Sequence, residues 1–440
     1  MNEFKRAFTN PPHDWRKQRL GDFLDRVDTR NVIGDQNVLT ISAEHGLIRQ
    51  AEFFSRRVAS ENVAGYYRLV NGDFAYNKSY SRGYPMGAIR RLDRYPSGVV
   101  SPLYICFRPS AGASVDSGFL AHYFDGGAVD AQLADVAKEG ARNHGLLNVS
   151  VKEFFEIETA LPPVEEQRCI AQILDTLDTA IRETEALIDK LKAGKQGLLH
   201  DLLTRGIDAN GQLRPPQSEA PQLYKESPLG WIPREWEVAP LVSKIDFPEG
   251  QVDPRCLPFR DWVLIAPDHI ESGTGQLIYT ATAGEQQAIS GKYLFEAGDV
   301  IYSKIRPYLR KAVQATHSGL CSADMYPLRP NAGLSSRFLL AVILGDQFSR
   351  FAESVSMRSG FPKINRSEMA EFSIGWPPLE EQLRISQILE GADLKGVSAE
   401  SEYAKLKRLK SGLMDDLLTG RVRVTPLLES VQQAATQTGA

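Results

Sequence analysis

The sequence predicts an α+β protein with two globular mixed α/β domains separated by two long helices, which pack as an antiparallel coiled coil and give a pseudo-twofold internal repeat. Three observations lead to this prediction. A helical segment near the middle of the chain recurs 215 residues later, apolar residues in both copies are spaced as a heptad, and short strand-like runs precede each copy. An internal repeat constrains the architecture before any single element is assigned.

The two helical segments begin and end with the same signals. Each starts with a proline pair and the letters EEQ and ends in DLLT, so that 162–204 corresponds to 377–419. Proline suits the first helical turn, glutamate complements the positive end of the helix dipole, and glycine is favoured just beyond a helix. Gly206 and Gly420 stand at that place. The sequence therefore predicts helices over 161–205 and 377–420.

The heptad spacing predicts a coiled-coil seam. Its residues are Ile170, Leu174, Leu177, Ile181, Ile188 and Leu191 in the first helix and Ile385, Leu389, Tyr403 and Leu406 in the second. Lys195 and Lys410 share one core position, where a lysine either forms a polar layer that sets the register or extends from the seam edge into water. Gly391 and Gly396 each weaken the second helix, so it is expected to depend on pairing, and its straightness stays open.

Composition points to an ordinary globular protein. The chain has 440 residues, of which 42% are apolar and 24% charged, enough for two or three domains. Four cysteines lack metal-ligand spacing, as expected in a reducing cytosol, and neither a signal sequence nor a membrane span is predicted. The predicted location is therefore cytoplasmic. A net charge of −4 does not indicate nucleic-acid binding by itself, so that function has to rest on local patches.

The predicted organisation follows from these segments and from a proline-rich stretch between them. A first domain over 1–160, the first helix over 161–205, a linker over 206–228, a second domain over 229–376, the second helix over 377–420 and a flexible tail over 421–440 are expected.

Motifs of catalysis are missing from the sequence. No glycine-rich cofactor loop, GxxxxGK[ST] or HExxH occurs, so neither a catalytic residue nor a metal site is predicted on this chain. The stretch 10–13 resembles the NPP motif of amino-methyltransferases, although a proline pair is also a plain turn. Asp73 with Lys78, and Asp299 with Lys304, suggest a nuclease pair, but a turn before a strand explains both more simply.

Each domain contains a Gly–Asp element followed by cations. The predicted DNA contacts are Lys78, Tyr80, Arg82, Arg90, Arg91, Arg142 and Asn143 in the first domain and Ser303, Lys304, Arg306, Arg310, Lys311, Arg358 and Lys363 in the second. Lysine and arginine neutralise phosphates, and arginine also binds guanine with two hydrogen bonds. One basic run is more often a solvated face, but two clusters after the same element favour DNA binding.

The doubled PPxEEQ helices, the closing LLT, the GWIPREWEV stretch and the Gly–Asp element resemble the specificity subunit of type I restriction-modification systems. The resemblance implies two target-recognition domains that each read one half of a bipartite site in double-stranded DNA. It also implies helices that set the spacing and bind methyltransferase subunits, expected to be two, with restriction subunits assembling on the complex. No cofactor is expected on this chain, since S-adenosylmethionine would bind the methyltransferase and ATP and Mg²⁺ the restriction subunit.

Two further expectations accompany this resemblance. Glu165, Glu166, Arg182 and Lys192 are predicted to lie on the exposed helix surface and to form part of the methyltransferase contact, although such charges are more often only solubilising. The partner is either a set of separate subunits or one fused polypeptide. The alternative function is a coiled-coil scaffold without sequence-specific DNA binding, which explains the repeats but not the parallel basic clusters.

Overall fold

A computed structural model describes residues 11–42, 45–53, 62–79, 84–137, 147–356 and 362–429. The chain divides into two compact units, one made of residues 1–185 and 401–440 and the other of residues 186–400. Each unit therefore contains one globular domain together with half of each long helix.

The first unit is built on short antiparallel strands. These are β1 (Arg16–Arg19), β2 (Leu24–Arg26), β3 (Leu39–Ser42), β4 (Gly46–Arg49), β5 (Tyr67–Val70), β6 (Phe74–Asn77), β7 (Ala88–Arg91), β8 (Ser97–Val100), β9 (Ile105–Pro109) and β10 (Glu158–Leu161). The helices are α1 (Gln50–Phe53), α2 (Ser117–Asp125), α3 (Asp130–Val136), α4 (Val151–Phe155) and the long α5 (Val164–Thr204). A four-stranded sheet has the order β2-β9-β6-β7, and β1-β10, β3-β4 and β5-β8 form two-stranded sheets.

The second unit repeats this plan with different additions. Its strands are β11 (Tyr224–Ser227), β12 (Gly230–Pro233), β13 (Glu237–Pro240), β14 (Ile245–Asp246), β15 (Leu264–Ile265), β16 (Tyr293–Phe295), β17 (Val300–Ser303), β18 (Ala312–Gln314), β19 (Gly319–Cys321), β20 (Met325–Pro330) and β21 (Ser373–Trp376). Its helices are α6 (Ser336–Leu344), α7 (Asp346–Ser356), α8 (Arg366–Ala370) and the long α9 (Leu379–Leu417). The sheets have the orders β14-β20-β17-β18, β15-β19-β16, β11-β12 and β13-β21.

A common frame is visible when the two domains are compared. The entry strand pairs with the exit strand in both, as β1-β10 and as β13-β21, and the four-stranded sheets have the same order. The apolar helices α2 and α6 pack on the edge strands β7 and β18. The remaining sheets differ, because the first domain has the hairpin β3-β4 and the pair β5-β8, whereas the second has β15-β19-β16 with one parallel pair.

The long helices are continuous and run antiparallel within each unit. In the first unit Lys410 Nζ lies 2.5 Å from Asp178 Oδ1, and in the second Lys195 forms the corresponding ion pair with Asp393. Both lysines are thus held across the helix pair, which favours a polar core layer over extension into water. The predicted fold class is confirmed. Gly391 does not interrupt α9, since the helix is unbroken from end to end.

The seam prediction needs one correction. Among the ten predicted residues, Ile170, Leu174, Ile188, Ile385 and Leu389 are buried, and Leu177, Ile181, Leu191, Tyr403 and Leu406 are half-buried. The seam residues nearest the start of each helix also pack into the core of a globular domain. Ile170 and Leu174 lie in the core of the first unit with Phe119, and Ile385 and Leu389 lie in the core of the second. The first turns of each helix therefore form one wall of a globular domain.

Two predicted boundaries also differ. The linker over 206–228 contains buried Arg214 and the whole of β11, which pairs with β12 in a hairpin. The tail over 421–440 begins with an ordered segment, because Val424 is buried in the core of the first unit. Residues 430–440 lie outside the described residues. Composition predicted both segments as loose because it does not reveal the distant partners that hold them.

Candidate nucleic-acid interface

The Gly–Asp elements form tight turns that start the central strands β6 and β17. Gly72 and Gly298 have φ angles of 91° and 96°, the left-handed region that glycine adopts without strain. The Asp73 carboxylate accepts a hydrogen bond of 2.8 Å from the backbone N–H of Val70 and one of 2.8 Å from Arg108. Burial raises the pKa of Asp73 against the opposing effect of Arg108.

The second element repeats these contacts. Asp299 accepts from the backbone N–H of Glu296 at 2.8 Å and pairs with Arg329 at 2.9 Å. Each aspartate is therefore buried and paired with an arginine of the neighbouring strand, β9 or β20. This environment supports the interpretation of both aspartates as turn residues rather than nuclease ligands.

The lysines that end the two elements lie in different environments. Lys78 is half-buried, and its Nζ donates to the carbonyl of Val149 at 3.2 Å, so desolvation lowers the pKa of this ammonium group. Lys304 instead has its Nζ 5.0 Å from the ring centroid of Tyr326. It also lines an open pocket of about 430 Å³. The same sequence position thus faces a backbone carbonyl in one domain and a pocket in the other.

The other predicted cations of the first domain hold the domain together. Arg90 Nη1 lies 2.6 Å from Asp125 Oδ1, and the Arg90 guanidinium stacks on Tyr84. Arg91 Nε donates to Asp93 Oδ1 at 2.6 Å, and its Nη1 donates to Ser117 Oγ at 3.1 Å. Arg91 also lines a cleft of about 650 Å³ beside α5. Predicted contacts Tyr80, Arg82, Arg142 and Asn143 lie outside the described residues.

In the second domain the predicted cations surround the turn between β17 and β18. Arg310 Nη1 donates to Asp346 Oδ1 at 2.7 Å, and Lys311 Nζ donates to the carbonyl of Pro267 at 2.7 Å. Ser303 is buried and its hydroxyl donates to the carbonyl of Ile305 at 3.0 Å. Exposed Arg306 and Lys363 lie beside one another, because the chain at Ile305 bridges to Lys363. Arg358 lies outside the described residues, and DNA contact remains a prediction for the whole set.

Arg366 is a cation that the sequence prediction missed. Its guanidinium lies 4.8 Å from the ring centroid of Phe247 and 5.6 Å from that of Tyr326, and it lines the same pocket as Lys304. The available signal was its position directly after the predicted turn at Lys363. The prediction did not extend into the short helix that follows.

Comparison with known proteins finds similarity to one kind of protein. A model of the type I restriction modification DNA specificity domain matches residues 269–407. The EcoDI specificity subunit of a type I restriction enzyme from Escherichia coli is 29% identical over 338 residues, which cover 68% of this chain and 74% of that protein. The MjaVIII specificity subunit from Methanocaldococcus jannaschii is 24% identical over 304 residues, 66% of this chain and 68% of that protein.

This chain is similar to type I restriction-modification specificity subunits over about two thirds of its length. Solved structures agree in fold. A structure described in work on assembly and conformational transition of the type I R-M system covers 94% of this chain and 100% of its own, with 18% identity and a TM-score of 0.55. A type I restriction-modification S subunit from M. genitalium covers 93% of this chain and 96% of its own, with 12% identity and a TM-score of 0.52.

The EEQ motif of this chain ties each long helix to a globular domain. The backbone N–H of Asp116, the residue before α2, donates to Gln167 Oε1 at 2.8 Å, and Gln167 Nε2 donates to the carbonyl of Pro162 at 2.8 Å. In the second unit the N–H of Ser335 donates to Gln382 at 2.9 Å, and Gln382 donates to Pro377. We call this pair of contacts the glutamine latch.

The second glutamate of each motif binds an arginine from the segment that follows the opposite long helix. Arg423 Nη2 lies 2.7 Å from Glu166 Oε2 and 2.9 Å from Asp14 Oδ2. Arg214 Nη1 lies 2.5 Å from Glu381 Oε1 in the second unit. We call these contacts the arginine clamps. Glu166 is buried, so its predicted place on the exposed helix surface is wrong.

The described part of the chain holds no cluster of three or more histidine, cysteine or acidic residues suited to a metal ion. None of its described helices is long and apolar enough to cross a membrane.

Proposed function

We propose that each globular domain of this specificity subunit reads one half of a bipartite DNA site within a type I restriction-modification complex. The chain is the non-catalytic recognition subunit of such a complex. The observation that carries the proposal is the repeated frame: latch, clamp, Gly–Asp turn and four-stranded sheet recur, while the cationic surfaces on them differ. Two readers of different half-sites need one scaffold and two surfaces.

The long helices are proposed to set the unread gap between the half-sites. The residue numbers of two residues that face each other show the register of α5 against α9. Asp178 and Lys410 add to 588, and so do Lys195 and Asp393. The register is thus the same in both units, as expected for helices that act as a spacer of fixed length.

Partner subunits are proposed to bind the outer helix surface. Leu383, Leu394 and Val397 are exposed apolar residues of α9, and a mixed apolar and charged face suits a protein partner. Methyltransferase subunits, expected to be two, would carry S-adenosylmethionine, and restriction subunits would carry ATP and Mg²⁺. A cytoplasmic location is proposed for the complex, in keeping with the four free cysteines.

Methylome sequencing tests the proposal directly. A methylation-free host would express the chain with its neighbouring methyltransferase, and a control host the methyltransferase alone. A bipartite adenine-methylated motif that appears only with this chain is expected. A complex that copurifies, binds DNA without salt sensitivity and yields no motif would favour the scaffold function, since phosphate contacts make DNA affinity fall with ionic strength.

A matched deletion tests the spacer. Removing Thr184–Lys190 from α5 together with the facing Ser398–Ala404 from α9 keeps both lysine–aspartate pairs in register. Each helix loses about 10 Å at 1.5 Å per residue. We expect a gap shorter by about three base pairs at ~3.4 Å each, or lost binding, with the half-site bases unchanged. Methylation at altered half-sites with an unchanged gap would contradict the spacer role.

A further inference from the structure

The pocket at Lys304 in the second domain has an unusual lining. Glu249, Gly250, Gln251, Tyr293, Lys304, Tyr326 and Arg366 surround its volume of about 430 Å³. Two of these side chains are cations, and they approach one tyrosine ring from different segments of the chain. Lys304 comes from the end of the Gly–Asp element, and Arg366 comes from the first turn of α8.

Aromatic rings hold the two cations in place. The rings of Phe247 and Tyr326 meet edge to face with centroids 5.7 Å apart. Arg366 lies over both rings and Lys304 over Tyr326. A cation stacked on an aromatic face keeps its N–H groups available for a further acceptor. Ordering these long side chains in advance lowers the entropy cost of binding an anion.

Carboxylates do not neutralise this pair. Within the described ranges neither Lys304 nor Arg366 forms an ion pair, whereas Arg90, Arg310 and Arg329 all do. Among the described lining residues the one carboxylate is that of Glu249, which is exposed. Two unpaired cations beside an open pocket are suited to an anionic oxygen cluster.

We infer that Lys304 and Arg366, stacked on Tyr326 and Phe247, form a phosphate-binding site that anchors the DNA backbone on the second domain. The inference rests on the proposed function. Phosphate contacts position a protein on the duplex without reading sequence. The site therefore fixes the register in which other groups of the domain meet the bases. In the described part of the first domain Lys78 is arranged differently, because its ammonium group donates to the carbonyl of Val149.

The test uses the whole chain assembled with its methyltransferase subunits. DNA affinity is measured against salt concentration on a duplex with the methylated site and on one without it. The Lys304→Gln/Arg366→Gln double variant is expected to weaken binding to both duplexes by the same factor, about tenfold. It is also expected to lower the slope of log affinity against log salt by about 0.9, the value for one lost phosphate. The methylated motif stays unchanged.

Matched variants make the result specific. Lys304→Arg/Arg366→Lys retains both charges and should keep the salt slope. Lys225→Gln removes a cation from the hairpin β11-β12, outside the pocket lining, and should also keep it. Glu249→Gln removes the opposing charge and should raise affinity for both duplexes. Melting temperatures of the complexes separate lost binding from lost folding, and each single Gln variant is measured should the double variant not fold.

Two results would overturn the inference. An unchanged slope and affinity in a folded double variant would show that these cations do not contact phosphate. A motif that changes at one base position would make Lys304 or Arg366 a base reader instead. Failure of the proposed function is distinguishable, because the unmodified complex would then show no salt-sensitive binding to either duplex.

Discussion

In the first domain Lys78 points its ammonium group at the carbonyl of Val149, whereas in the second Lys304 lies on the ring of Tyr326 beside an open pocket. The backbone around them is the same, since each lysine follows a glycine–aspartate turn whose carboxylate binds an arginine. The difference teaches that the repeat preserves the contacts that build the frame. The surface that meets a ligand differs between the two domains, as is required of domains that bind different half-sites.

Substitutions in the arginine clamps are expected to have the largest effect on the stability of the two units. Arg214→Met should lower the free energy of unfolding of the second unit by about 3 kcal/mol, because it leaves the carboxylate of Glu381 without its charged partner. Arg423→Met should cost the first unit less, about 2 kcal/mol. The Arg423 side chain is 29% exposed against 8% for Arg214, so water can replace it near Glu166.

Calorimetry of the two unfolding transitions measures both changes. Arg255→Met is the control, because Arg255 pairs with Asp253 on the surface and should produce no measurable shift. Equal and negligible losses for Arg214→Met and Arg423→Met would show that the clamps do not stabilise the units.

These clamps also show where sequence reasoning stops. The repeat predicts the long helices, and glycine after each helix predicts its end, because these signals are local. The burial of Glu166 could not be predicted, since its partner Arg423 is 257 residues away. Nothing in the letters EEQ distinguishes the exposed first glutamate from the buried second one until the arginine is placed.

The candidate site shows the same limit. The Gly–Asp elements predict that Lys78 and Lys304 occupy equivalent positions, and the structure places both at the end of a central strand. Whether the ammonium group meets a carbonyl or an aromatic ring depends on segments far along the chain, around Val149 and Tyr326. Arg366 was missed for this reason, since Phe247 stacks on it from a loop more than a hundred residues earlier.

The glutamine latch should respond equally in the two units. Gln167→Met and Gln382→Met keep the side-chain volume but leave a part-buried N–H and a buried carbonyl without their partners. Each should cost about 2 kcal/mol of unfolding free energy. Gln172→Met, at an exposed position of α5, is the matched control. A loss confined to one unit, seen in chemical denaturation, would mean that the latch is not a shared part of the frame.

Substitutions in the lysine–aspartate pairs should give a smaller difference in stability between the two units. Lys410→Met removes the cation that faces Asp178 and should cost about 1 kcal/mol. Lys195→Met should cost roughly half as much, because Asp393 keeps its ion pair with Arg337. Double-mutant cycles with Asp178→Leu and Asp393→Leu measure the two coupling energies. A larger coupling for Lys195 than for Lys410 would contradict this order.

A histidine in the second unit gives a predicted difference that depends on pH. His269 is buried, its Nδ1 accepts a hydrogen bond of 3.3 Å from the backbone N–H of Ala266, and its ring packs on Tyr279. Desolvation is the main cause that lowers the pKa of His269 below 6.5. The folded state therefore favours the neutral ring. Its contribution is fully present above about pH 6.5, the unfolded value, and is lost as the pH falls through the lower pKa of the folded protein.

The second unit should thus lose up to about 1 kcal/mol of stability between about pH 7 and pH 5 through this residue. His269→Phe removes the titrating group, so its stability should change less over that range even though it loses the hydrogen bond. Thermal unfolding of both proteins at several pH values gives the slopes. The same slope in the variant would assign the acid sensitivity to other groups. A steeper loss in the wild type would confirm that His269 contributes to the acid sensitivity of the second unit.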